Sequence, residues 1–456
     1  MPTPRKDSLR HRTPRAAAPV LALAASFAAG SGAGRAAETA EDFTAALTGG
    51  EMQISGNSVV NGAPTTDISD SPWMPTVGVR VGARLRLLGA GSINSVGYTF
   101  GLVRYFNLPD QPIAGFTFAR YTTTHEANII SDQTLTARHR LLLGLNGSVY
   151  SLAGLPIDVA TATPGSAAVT AGDTHILTIA GGETWLYEPT GTHRYLQTLL
   201  ATYIRPIEKS TMVPATVPET LQLLVTERGE RQQGLNIYSL TLQVGDLIRL
   251  DNPSGQTSNF AGSDVYTGQL LAGLGRELWP TTRIEARAGV MALYSPGLDT
   301  LAVGPAADVS LAYRRNPWYL TLIAAHGPTM NGYVASAVVS DSVMLRAALP
   351  LNVAETLTIS GVGGYAYSRS VIAGNGTSNG FSNTSKLYDV ITLGGYATYQ
   401  FTRAPLNISL EYSVIDQRGY ANPDAFAPSI RRRYLGIAMS GNLSTDRRPV
   451  PQATIH

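Results

Sequence analysis

Residues 76–87 read Thr-Val-Gly-Val-Arg-Val-Gly-Ala-Arg-Leu-Arg-Leu and contain two interleaved rows of side chains. The odd-numbered positions are all apolar, whereas the even-numbered positions carry threonine, glycine and arginine. Successive side chains of a β-strand point to opposite faces of its sheet. The stretch therefore predicts a strand with one apolar face and one polar face, and the polar face carries Arg80, Arg84 and Arg86.

The same alternation recurs along the chain, in about seventeen segments between residues 76 and 443. Segments 282–294, 306–314 and 406–414 are further examples, and their polar rows include Arg283, Glu285, Arg287, Asp308 and Glu411. Many of these segments are ten to fourteen residues long. Strands of soluble proteins usually have about 5–6 residues, and a tilted strand needs about 9–11 to cross a bilayer. The lengths therefore indicate strands that span a membrane.

The connections between the segments differ in length and favour a barrel with two unlike ends. Short connections cover residues 279–281, 315–317, 350–355 and 402–405, whereas long polar loops cover 153–173, 206–218, 250–264, 368–386 and 416–430. Outer-membrane barrels have tight turns at the periplasmic end and longer loops at the extracellular end. Four aromatic residues near short turns predict a girdle at the membrane boundary: Trp185, Trp279, Trp318 and Phe401.

The strand count leaves two alternatives open, because single-chain bacterial barrels have an even number of strands. A further strand near 51–61 gives eighteen, whereas one false segment gives sixteen. We expect an error near 124–137, which separates the proposed strands 113–124 and 138–151 by a long connection where a short turn is expected.

Composition excludes several classes of protein. The 456 residues include no cysteine, which excludes disulfides, thiolate metal sites and a catalytic thiol. Charged residues make up 14% of the chain, against about 25% in typical soluble proteins. Without residues 1–36 the chain has 28 basic and 31 acidic residues, a net charge of −3. A nucleic-acid partner is not expected, because such proteins usually have a basic excess.

The N-terminus has the features of an export signal. Residues 1–15 are basic, 16–29 form a short apolar run, and Gly34-Arg35-Ala36 is an acceptable cleavage site. We therefore expect a signal peptide at 1–36 and an N-terminal segment at 37–74, followed by a barrel at 75–443 and a polar tail at 444–456. The apolar run is too short for a membrane helix, which needs about 20 residues. A chain that crosses a bilayer with strands must form a closed barrel.

Residues 75–443 resemble the bacterial outer-membrane β-barrel proteins, including the porin-like ones, on the strength of this patterning. The resemblance implies an all-β, closed antiparallel transmembrane barrel of about sixteen to eighteen strands, with short periplasmic turns and long extracellular loops. It also implies export to the outer membrane of a Gram-negative bacterium, with membrane lipid, the outer-membrane insertion machinery and small solutes as partners. The final strand of that class ends in an aromatic residue, whereas here it ends near Leu443.

The charged rows are the candidate functional residues, because an arginine that faces lipid at the bilayer midplane costs about 2–4 kcal/mol. We therefore expect the lumen to be lined by Arg80, Arg84, Arg86, Arg283, Glu285, Arg287, Asp308 and Glu411. A barrel of sixteen or more strands is wide enough for water, which favours a porin-like channel for passive diffusion of small solutes.

Three alternatives remain. The first is a surface-exposed barrel whose lumen is closed by internal ion pairs and whose long loops bind a partner. The second is a hydrolase with its active site at the rim of the barrel. The third is a secreted soluble β-protein. No fixed-period repeat supports the last of these. The histidine spacing fits no metal signature, so neither catalysis, a metal nor another cofactor is predicted. The sequence does not determine the oligomeric state.

Overall fold

The computed structural model describes residues 38–60, 63–108, 120–151, 175–207, 219–250, 264–296, 300–315, 318–331, 336–351, 356–371, 384–420 and 429–444. No helix in this part of the chain is long and apolar enough to span a membrane. The described residues form nineteen β-strands, β1 to β19 in chain order: Glu38–Val60, Ala63–Asp70, Met74–Leu88, Ser92–Tyr105, Tyr121–Thr136, His139–Ser151, His175–Thr190, His193–Pro206, Thr220–Gln233, Asn236–Arg249, Val265–Trp279, Thr282–Ser295, Thr300–Arg315, Trp318–Asn331, Ser336–Pro350, Leu357–Val371, Thr384–Gln400, Leu406–Gly419 and Ile430–Ser444.

Strand β1 closes the sheet into a barrel. It pairs with β3 from Glu38 to Met52 and with β19 from Asp42 to Gly56, so the sheet has no free edge along these residues. Strand β2 pairs only with the end of β1 and stands outside the ring. The wall therefore has eighteen strands, β1 and β3 to β19, and every neighbouring pair is antiparallel. This confirms the all-β closed barrel and decides between the two counts in favour of eighteen.

The two ends of the barrel differ, as the sequence predicted. The described chain ends Glu38 and Ser444 lie at one end, which we call the turn side, and the connections there are six residues or shorter. Gly234 makes the turn between β9 and β10 with φ of 63°, a left-handed conformation that favours glycine. The other end, the loop side, has the longest connections, including 152–174, but β12–β13 and β14–β15 are joined there by only four residues each.

The outer face of the wall is apolar and open to its surroundings. Val77 and Ile437 lie on β3 and β19, and Leu240 and Val290 lie on β10 and β12 in the opposite part of the wall; their side chains are 50%, 55%, 56% and 56% exposed. Soluble monomers rarely expose an apolar surface that continues around the whole molecule. A hydrocarbon environment accounts for this face, because transfer of apolar side chains from water to hydrocarbon is favourable.

One part of the sequence interpretation is wrong. Residues 124–137 were expected to be a connection, but most of them belong to β5, Tyr121–Thr136. Polar side chains occur on both faces of β5, among them Glu126, Asn128 and Ser131, so the strand has no clean apolar row. Residues 113–119 of the proposed strand 113–124 lie outside the described part of the chain.

Candidate functional site

All eight residues that the sequence assigned to the lumen lie on the face opposite to the exposed apolar row of their strand. On β3 the exposed apolar side chains are Val77, Val79, Val81 and Leu85, so the three arginines at even positions point the other way. The same comparison with the exposed apolar rows of β12, β13 and β18 places the remaining five inside: Arg283, Glu285, Arg287, Asp308 and Glu411.

Glu285 is the centre of the largest charged network of the inner wall. Its carboxylate accepts hydrogen bonds from Arg228 Nη2 at 2.5 Å, from Arg283 Nη2 at 3.0 Å and from Ser239 Oγ at 3.2 Å. Arg228 also contacts Glu230 at 2.6 Å. Glu285 is only 6% exposed, which is compatible with a charge because buried carboxylates are stable when several donors surround them.

Gly273 of β11 makes this network possible. Arg228 lies on β9 and Glu285 on β12, so their side chains meet over the inner face of the two strands between them. A Cβ atom at Gly273 would lie 2.4 Å from Ser239 Oγ and 2.5 Å from Cγ of Arg287. At Gly275 a Cβ would make only an ordinary contact, 3.6 Å from Cβ of Glu285. The absence of a side chain at 273 leaves a shallow space on β11, the glycine floor, over which the charged groups lie.

Arg287 extends the network to the next strand. Its Nε donates to Asp308 Oδ1 on β13 at 2.7 Å, and its Nη1 lies 3.4 Å from Thr241 Oγ1 on β10. This network is thus a continuous strip of alternating charges on the inner wall from β9 to β13. Fixed charges of both signs provide hydrogen-bond partners for water and for polar solutes.

The second charged group lies where the first and last wall strands meet. Arg86 Nε is 2.8 Å from Asp42 Oδ2, and Ser444 Oγ donates to Asp42 Oδ1 at 2.5 Å. Arg86 and Asp42 are 5% and 8% exposed. The three residues lie on β3, β1 and β19, so this group ties together the strands that close the barrel.

Arg80 and Arg84 are the most accessible of the predicted arginines. Arg80 Nη2 lies 3.0 Å from Glu126 Oε2, and these two side chains are 61% and 36% exposed. Arg84 is exposed and forms no ion pair within the part of the chain that the structure describes. Arg84 is therefore the predicted arginine with the most freedom to act on a passing ion.

A cavity of about 590 Å³ opens at the turn side of the lumen. Its lining brings together cations, anions and one aromatic ring: Arg194, Arg228, Glu230, Trp279, Arg283 and Glu285. Trp279 is 65% exposed and borders this cavity. The other three predicted girdle residues do not line it.

Those other three girdle residues are exposed near the turn side. Trp185 belongs to a stack of rings with His139, Tyr187 and Tyr195, in which the His139 and Tyr187 centroids are 4.3 Å apart. Trp318 is 46% exposed. Phe401 is 39% exposed and meets Tyr399 edge to face at 5.1 Å. Rings at this height suit a membrane boundary, because their apolar bodies and polar edges find both surroundings there.

Sequence reasoning missed half of the Glu285 network. Arg228 and Glu230 follow the last apolar residues of the proposed strand 219–228, whereas β9 continues to Gln233. The inward ion pair between Arg140 and Asp132 was also missed, because β5 was not recognised; Arg140 Nε donates to Asp132 Oδ1 at 2.8 Å. The only available signal was the charge alternation in 227–231, Glu-Arg-Gly-Glu-Arg.

The loop side of the lumen differs from the charged turn side. Inward-facing apolar residues are almost fully buried there, and they form two clusters on opposite parts of the wall. The first contains Met52, Ile54, Met74, Tyr105, Ile430 and Tyr434, and the second contains Leu271, Met291, Leu293, Ala306 and Val339. The inner wall thus has buried apolar clusters near the loop side, which we call the apolar mouth, and charged side chains near the turn side.

The hairpin of β14 and β15 narrows this mouth. The Cε atom of Met330 on β14 lies 2.7 Å from the position of a Cβ at Gly245 on β10, four strands away along the wall. A Cβ at Gly327 of β14 would lie 3.1 Å from Gln269 Oε1 on β11. The end of the hairpin therefore lies across the inside of the barrel. Within the described residues, no group of three or more metal-binding side chains occurs.

No protein-family model matches the chain, and neither does any curated protein. Solved structures of similar fold include Pseudomonas aeruginosa OpdL, with 8% identity and a TM-score of 0.42 over 90% of this chain and 99% of that one. They also include Pseudomonas aeruginosa OpdK with vanillate, with 9% identity and a TM-score of 0.42 over 89% and 98%. Acinetobacter baumannii OccAB4 has 9% identity and a TM-score of 0.40 over 88% and 98%.

Proposed function

We propose that this chain is an outer-membrane channel that carries small solutes by passive diffusion through a polar, arginine-containing lumen. The observation that carries the proposal is the division of the wall into two faces. The outer face is apolar and about half exposed, whereas the inner face holds the strip of charges from Arg228 to Asp308. A wall of eighteen strands leaves room for water inside, since porins of 16–18 strands have aqueous channels.

Two kinds of inner charge have different parts in this function. Glu285 and Arg287 are held by several partners, so they stiffen the wall and present a fixed polar surface. Arg84 is exposed and attracts anions into the lumen, whereas the charge of Arg80 is offset by Glu126 at 3.0 Å. A carboxylate in place of Arg84 would repel anions, because charged side chains that line a pore influence its ion selectivity.

A closed barrel that binds partners through its loops is the second candidate. The apolar mouth and the hairpin of β14 and β15 favour it, because both reduce the open cross-section. Conductance separates the two functions. Purified protein in a planar bilayer is expected to give discrete current steps in KCl, and the absence of steps in correctly folded protein would favour the closed barrel.

Selectivity tests the role of the lumen arginines. We expect Arg84→Glu to shift the reversal potential in a KCl gradient towards cation preference, because it replaces an exposed inner cation with an anion. Arg276→Glu is the matched control, since Arg276 is exposed on the outer row of β11 between Leu274 and Leu278. An unchanged potential for Arg84→Glu would remove this residue from the ion path.

The same proposal places the mature protein in the outer membrane of a Gram-negative bacterium after signal-peptide removal. N-terminal sequencing of protein from the outer-membrane fraction is expected to begin near Ala37. Recovery of the intact N-terminus from the cytoplasm would contradict export. A rim hydrolase lacks support from the described contacts, in which His326 Nδ1 forms a hydrogen bond with Asp341, at 2.6 Å, and none with a serine hydroxyl that it could activate.

A further inference from the structure

The ladder between β13 and β14 is the shortest in the wall. It has nine residue pairs, from Ala307 opposite His326 to Arg315 opposite Trp318, whereas every other wall pair has eleven or more. Beyond His326 the two strands separate. Residues 300–306 of β13 pair only with β12, and residues 327–331 of β14 pair only with β15. The wall therefore has a gap on the loop side between β13 and β14.

Each edge of this gap contains a proline. Pro305 lies on β13 and Pro328 on β14, each two residues beyond the last paired residue of its strand. Proline has no backbone N–H, so it cannot donate a hydrogen bond to a neighbouring strand. Two prolines at the same height weaken any ladder that could close the gap, so the sequence itself favours separation of the strands.

The chain of β14 leaves the gap by turning inwards. Met330 lies against Gly245: a Cβ at 245 would lie 2.7 Å from Met330 Cε, the end of a flexible side chain, and 2.7 Å from Thr267 Oγ1. We call the described part of this hairpin, 327–331 and 336–341, the hairpin tip. The hairpin tip rests on the inner face of β10 and β11 instead of completing the wall.

Apolar side chains lie on both sides of the gap. On the inside are Leu271, Met291, Leu293, Ala306 and Val339, none more than 4% exposed. On the outside Leu301 and Val303 of the β13 edge are 55% and 52% exposed. The path from the inner cluster past Leu301 and Val303 is thus apolar. Its border towards the turn side is charged, because His326 and Asp341 form an ion pair at 2.6 Å where the strands separate. A polar solute finds no hydrogen-bond partners among these apolar side chains. An apolar molecule that takes this path leaves water for an apolar environment and does not cross the charged interior of the barrel.

We propose that the gap between β13 and β14 is a lateral opening, through which small uncharged apolar molecules pass from the mouth of the barrel into the hydrocarbon of the membrane. This function goes beyond the diffusion of solutes through the lumen, although it rests on the membrane location proposed above. The hairpin tip fills the inner cluster through Val339, so passage requires the tip to move away from β10 and β11. Gly245 and Met330 are the contact that holds it.

A cross-link at this contact tests the proposal. The chain has no cysteine, so Gly245→Cys with Met330→Cys introduces the only two thiols, and a short bismaleimide joins them. The probe is N-phenyl-1-naphthylamine, an uncharged aromatic amine that fluoresces in hydrocarbon, added to cells with the protein in their outer membrane. We expect the unmodified protein to raise the initial uptake rate several-fold over cells without it. The cross-link should abolish that increase, and the two single variants should keep it after the same treatment.

A second variant avoids the cross-linker. Val339→Thr keeps the size of the side chain and adds a hydroxyl to the apolar cluster, which weakens the packing that holds the hairpin tip, so we expect a higher uptake rate and an unchanged KCl conductance. Conductance of the same proteins distinguishes the two proposed functions. Current steps without any increase in amine uptake overturn the lateral opening alone, whereas uptake without current steps overturns the solute channel alone. The lateral opening is also overturned if the cross-linked protein still increases amine uptake. The same holds if amine uptake and KCl conductance change in proportion in these variants.

Discussion

Val290 is a sensitive position for testing lipid contact, because it lies near the centre of the outward row of β12 and is 56% exposed. Its outward neighbours on the same strand run from Ile284, near the turn side, to Tyr294, near the loop side. Val290→Arg places a guanidinium where the structure predicts hydrocarbon. An arginine at the midplane of a barrel wall costs about 2–4 kcal/mol, and near the interface only about 0–1 kcal/mol.

The position of the residue along the strand determines whether the midplane cost or the interface cost of arginine applies. Val290 is six residues from Ile284 and four from Tyr294, so water is far from its side chain in both directions. We expect Val290→Arg to lower the free energy of unfolding by about 3 kcal/mol, and Ile284→Arg, the control at the turn-side end of the row, by about 1 kcal/mol or less. Val290→Leu should be close to neutral, since it keeps the surface apolar.

Reversible urea unfolding in phosphatidylcholine vesicles measures these differences, with tryptophan fluorescence as the signal. Equal costs for Val290→Arg and Ile284→Arg would refute the reasoning, because only a hydrocarbon layer makes the cost depend on height along the strand. A cost near zero for both would indicate that the outer face of β12 is covered by water or by protein.

Three other substitutions test separate parts of the wall. Glu285→Ala is expected to lower the free energy of unfolding by about 3 kcal/mol in the same urea assay, because it leaves the half-buried Arg228 and Arg283 without their shared carboxylate. Gly273→Val should also destabilise the barrel and should reduce KCl conductance, since its side chain would overlap Ser239 and Arg287. Glu227→Leu should raise stability by about 1 kcal/mol, because Glu227 is exposed on the outer row of β9; an unchanged urea midpoint would contradict that placement.

The outer face was predictable because its physical cause is local. Hydrocarbon contact selects an apolar residue at every second position, and the period of two follows from strand geometry alone. Some outward positions are polar instead of apolar. Strands β7 to β9 carry Glu183, Gln197 and Glu227 within their outward rows. Gln197 Nε2 lies 3.1 Å from Glu227 Oε1, so part of this polarity is satisfied by a contact between neighbouring strands.

Strand β5 was missed because its outward row is partly polar, so the local pattern of alternation is interrupted. Glu126 and Asn128 alternate with Ala127 and Ile129, but Ser131 and Gln133 continue the outward row with polar atoms. The Ser131 hydroxyl donates to Asn94 Oδ1 at 2.6 Å, so the polar group is satisfied by the neighbouring strand. Alternation detects contact with hydrocarbon, and it fails where hydrogen bonds between strands replace that contact.

The inner wall was only half predictable, because its contacts depend on strands far apart in sequence. The position of Glu285 on the inner face follows from alternation, but its contact with Arg228 crosses 57 residues and requires the glycine floor on β11. Register between neighbouring strands determines which charges meet, and register is a property of the whole sheet. Sequence patterning therefore predicted which residues share the polar face of each strand, and it could not decide which of them are paired and which, like Arg84, are exposed.

The difference between the two ends of the lumen follows from the same physics. Charges on the inner wall are stable near the turn side because small residues on neighbouring strands, such as Gly273 and Ser239, let long side chains reach partners. Near the loop side the inner positions hold Met291 and Leu293 instead, and the hairpin tip packs on them. An apolar inner surface needs a cover that excludes water, and the gap between β13 and β14 frees a hairpin to supply that cover. The separated strands and the apolar mouth are therefore two consequences of one arrangement.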